Sequence, residues 1–200
     1  VYNDRGKSQK NIKGELVCKN PFPSMPLKFW RDKNDIKFKK AYFNRFKNTW
    51  HHGDYAEIKM TGGFVIHGRS DTTLNPGGVR MGTAEIYSEV EKFKEIDESL
   101  VVGQAWNNDI RIVLFVVMNK NYSFTEKLSL KLKLKIRKNT SPRHVPSKII
   151  VVSDIPRTKS GKIVELAVKN IIDGNKVKNK EALANPEVLK YFKNLKELEY

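Results

Sequence analysis

The sequence predicts an α+β fold, and three observations predict it. From Asp71 onward, apolar strand patterns and amphipathic helix patterns alternate along the chain. Two strongly apolar runs, Ser99 to Gly103 and Ile110 to Met118, are joined by the polar turn Asn107-Asn108-Asp109. Ahead of Asp71 the signals are chiefly those of strands, with loops rich in proline and glycine between them.

Taken in order, Gly14-Glu15-Leu16-Val17-Cys18 reads as a strand entering the proline-punctuated loop Asn20-Pro21-Phe22-Pro23-Ser24-Met25-Pro26. A short aromatic helix is expected from about Lys39 to Phe46. Tyr55 to Lys59 and Phe64 to His67 read as two strands, and Thr61-Gly62-Gly63 between them is a hairpin signal. A strand and a hairpin need partners to be stable, so residues 1–70 look like the end of something larger.

The second part begins with a glycine-rich loop, Asn75-Pro76-Gly77-Gly78-Val79-Arg80, ahead of a helix over Ala84 to Lys92. After the two apolar strands the pattern becomes ambiguous. Leu128, Leu130, Leu132, Leu134 and Ile136 alternate with polar residues, which is strand spacing. Phe124, Leu128, Leu132 and Ile136 recur every four residues among good helix formers, which is helix spacing. Read alone, the segment leans to strand. A further strand at Lys148 to Val152 leads through a basic loop into a helix from Ile163 to about Ile172.

Composition narrows the function classes without choosing among them. Of 200 residues, 39% are hydrophobic, enough for a core, so wholesale disorder is not expected. No apolar run approaches the roughly 20 residues that span a bilayer, and Val1-Tyr2-Asn3-Asp4-Arg5 has no signal-peptide character. The single cysteine, Cys18, cannot form an internal disulfide and suits a reducing cytosol. The histidines His51, His52, His67 and His144 lack paired-ligand spacing, so no metal site is expected. Lys and Arg number 38 against 22 Asp and Glu, a net charge of +16 that draws phosphate-bearing partners but equally suits plain solubility.

The densest local signal is Pro156-Arg157-Thr158-Lys159-Ser160-Gly161-Lys162-Ile163. It is not a Walker loop, because Pro156 stands where the first glycine belongs and Ile163 replaces the hydroxyl residue. Alone it reads equally as a solvated basic turn before a helix. Two other clusters accompany it: His52-Gly53-Asp54 with Gly68-Arg69-Ser70-Asp71, and Gly77-Gly78-Val79-Arg80 with Thr83-Ala84-Glu85-Ile86. Each has an ordinary structural reading as a cap, a surface pair or a tight turn.

In this order and spacing, however, the residues resemble the adenylate-forming superfamily of acyl-CoA synthetases, luciferases and peptide-synthetase adenylation domains. The likeness runs along the whole chain and is nearest to acetoacetate–CoA ligases. It is carried there by Pro21 to Pro26, by Asn75 to Tyr87, by Ser141-Pro142-Arg143-His144-Val145-Pro146 and by Ala182-Leu183-Ala184-Asn185-Pro186-Glu187. The resemblance implies a helix for the ambiguous segment. It also implies that residues 1–70 end a large nucleotide-binding domain and that residues 71–200 form a small mobile C-terminal domain.

Roles follow residue by residue from the resemblance. Asp54 is expected to grip the ATP ribose hydroxyls and Arg69 to lie at the nucleotide, with Asp71 as the hinge. Arg80 is expected to reach ATP through its guanidinium fork. Lys162 is expected to hold negative charge while a carboxylate attacks the α-phosphate. Gly77 and Gly78 would line the channel for pantetheine, and Arg137, with Arg143 as a second candidate, would meet a CoA phosphate. ATP and CoA are thus the expected cofactors, with Mg2+ arriving on the ATP phosphates rather than at a site in this chain. The acid would be acetoacetate or another short acyl acid, and the partner a missing N-terminal domain carrying the phosphate loop and acyl pocket. No nucleic acid and no membrane are expected, and the location implied is cytoplasmic. Without the upstream domain the chain is expected to be inactive. The alternatives are a fragment of an acetyl-CoA or other short-chain acyl-CoA synthetase, and a stand-alone basic binding or regulatory module. Against the last, the sequence has no aromatic RNP stripe, GXXG loop or zinc finger.

Overall fold

A computed structural model describes residues 1–177 and 179–200. The chain divides into two compact units, Val1–Asp71 and Thr72–Tyr200. Both mix strands and helices, as expected of an α+β protein.

The first unit is built on an antiparallel sheet of β1 (Gly14–Cys18), β2 (Trp50–Ile58) and β3 (Phe64–Arg69), with β2 in the middle. β2 begins earlier than its apolar pattern suggests, because Trp50 and His51 pair with Cys18 and Val17 despite the polarity of the histidine. Bulges between Glu15 and Val17 and between Tyr55 and Ala56 locally re-aim side chains. The helix expected over residues 39–46 lies instead at Ile36–Tyr42, called α1. Its start is set by Asp32, whose carboxylate accepts from the amides of Lys37 and Phe38 at 2.9 and 2.7 Å. Those amides hold the Asp32 carboxyl below its ordinary range against a desolvation that raises it. Around α1 the aromatic residues gather on Trp50, with Tyr42 stacked at 3.7 Å and Phe22, Phe38 and Phe43 at its edges. Phe64, Val65 and Ile66 on β3 stay exposed.

The second unit contains α2 (Ala84–Val90), β4 (Ile96–Trp106), β5 (Asp109–Met118), α3 (Glu126–Asn139), β6 (Lys148–Val151) and α4 (Glu165–Ile172). β4 and β5 form a hairpin around Asn107 and Asn108, both left-handed at φ 48° and 60°, the conformation a tight two-residue turn demands. β6 joins β5 in parallel, with α3 in the crossover. Side chains along β5 alternate between two cores. Ile112, Leu114 and Val116 meet α2 and α3, while Val113 and Phe115 meet α4 and the C-terminal residues Val188 and Phe192. A strand buried on both faces explains the unbroken apolar run.

The ambiguous segment is helical. Leu128, Leu132 and Ile136 are buried, whereas Leu130 and Leu134 are 60% and 58% exposed. Thr125 caps its start, accepting from the Leu128 amide at 3.2 Å, and Arg137 and Lys138 complement its C-terminal carbonyls. Burial of one face every four residues therefore prevails over the two-residue alternation of the leucines.

Candidate functional site

In the first unit, Asp54 on β2 stands opposite Arg69 on β3. The Arg69 guanidinium donates to the Asp54 carboxylate at 3.1 Å, and the other carboxylate oxygen meets His52 Nδ1 at 2.6 Å. Arg69 Nε lies 3.7 Å from Asp71. Gly53, at φ +86°, leaves the space this pair needs, since a Cβ there would come within 2.8 Å of the Arg69 guanidinium. Asp54 is thus a positioned acceptor, largely shielded, with a half-exposed guanidinium beside it. Such a pair can accept from vicinal hydroxyls and donate to an anion. The structure brings Asp54, Arg69 and Asp71 together. His52, which orients Asp54, gave no separate signal in the sequence.

The Gly77-Gly78 loop of the second unit is tied at its base by Leu74 and Met81, which exchange backbone hydrogen bonds at 2.9 Å in both directions. Gly77 and Gly78 both have positive φ, at 58° and 75°. Space is not the reason, since a Cβ on Gly77 would come no nearer than 3.9 Å to Arg143 and one on Gly78 would meet nothing within 4 Å. The reason is conformation. The Gly77 amide donates to both carboxylate oxygens of Asp109, at 2.9 and 3.0 Å. The amides of Ile110 and Gly77 hold the Asp109 carboxyl below the usual aspartate range. Arg80 Nε donates to Thr73 Oγ1 at 3.0 Å, which sets the direction of its side chain from the neck of the loop. Asp109 is a contributor that the sequence did not reveal.

Lys162 stands on an exposed turn closed by hydrogen bonds. The amide of Thr158 donates to the Lys162 carbonyl and the Gly161 amide to the Thr158 carbonyl, each at 2.8 Å. The Lys162 amide donates to Thr158 Oγ1 at 3.1 Å, so Thr158 caps the turn, and its hydroxyl meets that of Ser160 at 3.0 Å. Arg157 pairs with Glu98 on β4. The following helix begins at Glu165, two residues later than its pattern suggests, because Val164 is not helical. Glu165 is anchored by Tyr87, whose hydroxyl donates to it at 2.5 Å and accepts from the Val101 amide at 3.0 Å. Burial, with Glu165 adding its charge and hydrogen bond, pushes the Tyr87 phenol well up, so it remains a donor. An ammonium is therefore presented on a short, braced turn at the mouth of a fixed helix.

Arg137 lies in the exposed last turn of α3, and Arg143 follows on the turn Pro142–His144 beside the glycine loop. Among the described residues, no group of three or more His, Cys, Asp or Glu side chains is placed to hold a metal ion. No helix among them is long and apolar enough to cross a membrane.

Residues 85–162, which include α2, the sheet, α3 and the Lys162 turn, match the AMP-binding enzyme C-terminal domain. The chain is 59% identical over 198 residues to an acetoacetyl-coenzyme A synthetase of Rhizobium meliloti (strain 1021), covering 99% of this chain and 30% of that protein. Along nearly its whole length the chain is thus similar to acyl-CoA synthetases, and residues 85–162 match their AMP-binding C-terminal domain. A Gallus gallus acetoacetyl-CoA synthetase is 48% identical over 202 residues, covering 100% of this chain and 30% of the relative. The solved acetoacetyl-CoA synthetase from Streptomyces lividans superposes with a TM-score of 0.88 at 38% identity, over 96% of this chain and 29% of that one. A benzoate CoA ligase from Burkholderia xenovorans LB400 shares the fold at a TM-score of 0.70 and 24% identity, over 84% of this chain and 32% of that one. The chain thus spans about 30% of the length of the curated relatives it matches.

Proposed function

We propose that this chain is the C-terminal part of an AMP-forming acid–thiol ligase that makes acetoacetyl-CoA from acetoacetate, ATP and CoA. The observation that carries the reading is the 59% identity, along nearly the whole chain, to an acetoacetyl-coenzyme A synthetase. The paired Asp54 and Arg69, the braced Lys162 and the anchored glycine loop support it. In this reading residues 1–70 complete a large nucleotide-binding domain and residues 71–200 are the small mobile one. The apolar residues left bare on β3 fit an upstream partner.

The first half-reaction joins a carboxylate oxygen of the acid to the α-phosphorus of ATP and expels pyrophosphate. Asp54 accepts from the ribose hydroxyls, and Arg69 and Arg80 meet the nucleotide. Lys162 stabilises charge on the reacting oxygens. Mg2+ travels with the ATP phosphates. In the second half-reaction the small domain turns about Asp71 and Lys162 leaves. The pantetheine arm of CoA passes the Gly77-Gly78 backbone, with Arg137 on a CoA phosphate. The thiol sulfur attacks the acyl carbonyl carbon, its proton passes to solvent, and AMP departs. The proposed setting is the cytoplasm, and the mechanism requires neither nucleic acid nor membrane.

The test joins the chain to the upstream domain of its own gene and measures thioester formation with acetoacetate and with acetate. Preference for acetoacetate with AMP release supports the reading. Preference for acetate moves the chain to the acetyl-CoA class, and no thioester with either acid overturns the proposal.

A further inference from the structure

We infer that Glu15 is a positioning residue for the segment Arg69-Ser70-Asp71, and through it for the nucleotide and hinge roles proposed above, on which this inference rests. Glu15 lies on β1, remote in sequence from every residue of the candidate site, and its side chain is 1% exposed. One carboxylate oxygen accepts from Arg45 at 3.0 Å. The other meets His51 Nε2 at 2.7 Å and accepts from the Ser70 hydroxyl at 2.5 Å. A carboxylate withdrawn from water needs partners of this kind, and Arg45 and His51 meet much of that need.

The Ser70 contact does something different. Ser70 follows β3 directly, between Arg69 and Asp71. Its amide donates to the Gly53 carbonyl at 2.9 Å, next to Asp54, while its hydroxyl reaches across the sheet to Glu15. Both ends of the residue are therefore fixed to the first unit. The backbone leaving Ser70 in one direction carries Arg69 onto Asp54, and in the other it becomes Asp71. Movement about the proposed hinge must then begin beyond Ser70. The position of the Arg69 guanidinium is set through Ser70 by an anchor 55 residues from that serine in sequence.

The experiment uses the complete ligase and follows acyl-adenylate formation against ATP concentration for wild type, Ser70→Ala, Ser70→Thr and Arg45→Ala. Ser70→Ala removes one hydrogen bond to a charged group without disturbing the core. It is expected to raise KM for ATP about tenfold, with kcat held within about twofold. Ser70→Thr keeps the hydroxyl and is expected to restore KM. Arg45→Ala strips Glu15 of its cation but leaves the Ser70 contact, so it is expected to lower Tm while KM for ATP stays put. An unchanged KM in Ser70→Ala, or an equal rise in Arg45→Ala, overturns the positioning role while leaving the proposed function standing. A wild-type ligase that forms no adenylate overturns both.

Discussion

Substituting Gly77 tests whether the glycine loop matters through its backbone shape. Gly77 sits at φ 58°, ψ 31°, left-handed backbone in which an L side chain costs about 1–2 kcal/mol. Crowding adds nothing, because the nearest atom to a Cβ there is 3.9 Å away. Gly77→Ala is therefore expected to destabilise the second unit by about 1–2 kcal/mol, a fall in Tm of roughly 2–8 °C. Gly77→Asn is expected to cost less, since asparagine tolerates this conformation. Gly103→Ala is the control for steric cost: its Cβ would come within 2.6 Å of Ile110 and 3.5 Å of Leu74, an overpacking worth about 1–3 kcal/mol in the core. Thermal unfolding of the three variants checks the stabilities. Half-reaction assays in the complete ligase check function, with Gly77→Ala expected to slow thioester formation while adenylation stays near wild type. Equal stability of Gly77→Ala and wild type would refute the conformational argument, and equal slowing of both half-reactions would refute the assignment of the loop to CoA.

Two further outcomes follow from the same geometry. Leu132→Ala, at a fully buried position, is expected to cost about 2–5 kcal/mol in denaturant unfolding. Leu130→Ala, 60% exposed, is expected to stay within about 0.5 kcal/mol, and equal costs would contradict the helix. The folded-state pKa of Asp109 is depressed, so its contribution is present above the ordinary aspartate pKa of about 3.9 and fades as pH falls through the lower folded value. The stability gap between wild type and Asp109→Ala, followed by thermal unfolding across acid pH, is expected to close in that window. A gap that widens there contradicts the carboxylate–amide anchor.

Local pattern carried much of the fold. Asn107 and Asn108 marked their turn because left-handed backbone favours asparagine. The apolar run at Ile110 to Met118 marked a strand because its side chains are buried on both faces. The start of α1 is not legible in the apolar pattern because it depends on Asp32, outside that pattern, and the early part of β2 is not because His51 and His52 are polar. At the candidate site the motif residues were legible, since their types and order are local features of the chain. Their supports were not: Glu15 meets Ser70 across 55 residues, Asp109 meets Gly77 across 32 and Tyr87 meets Glu165 across 78. Contacts at such separations leave no spacing to read.

The central claim is that Lys162 serves adenylation and not thioester formation. The most direct measurement is ATP–pyrophosphate exchange by the complete ligase carrying Lys162→Ala, beside thioester formation from supplied acyl-adenylate and CoA. The account predicts that exchange falls by about 10²–10³ while thioester formation from the adenylate stays near wild type. Undiminished exchange, or an equal loss in both reactions, would contradict it.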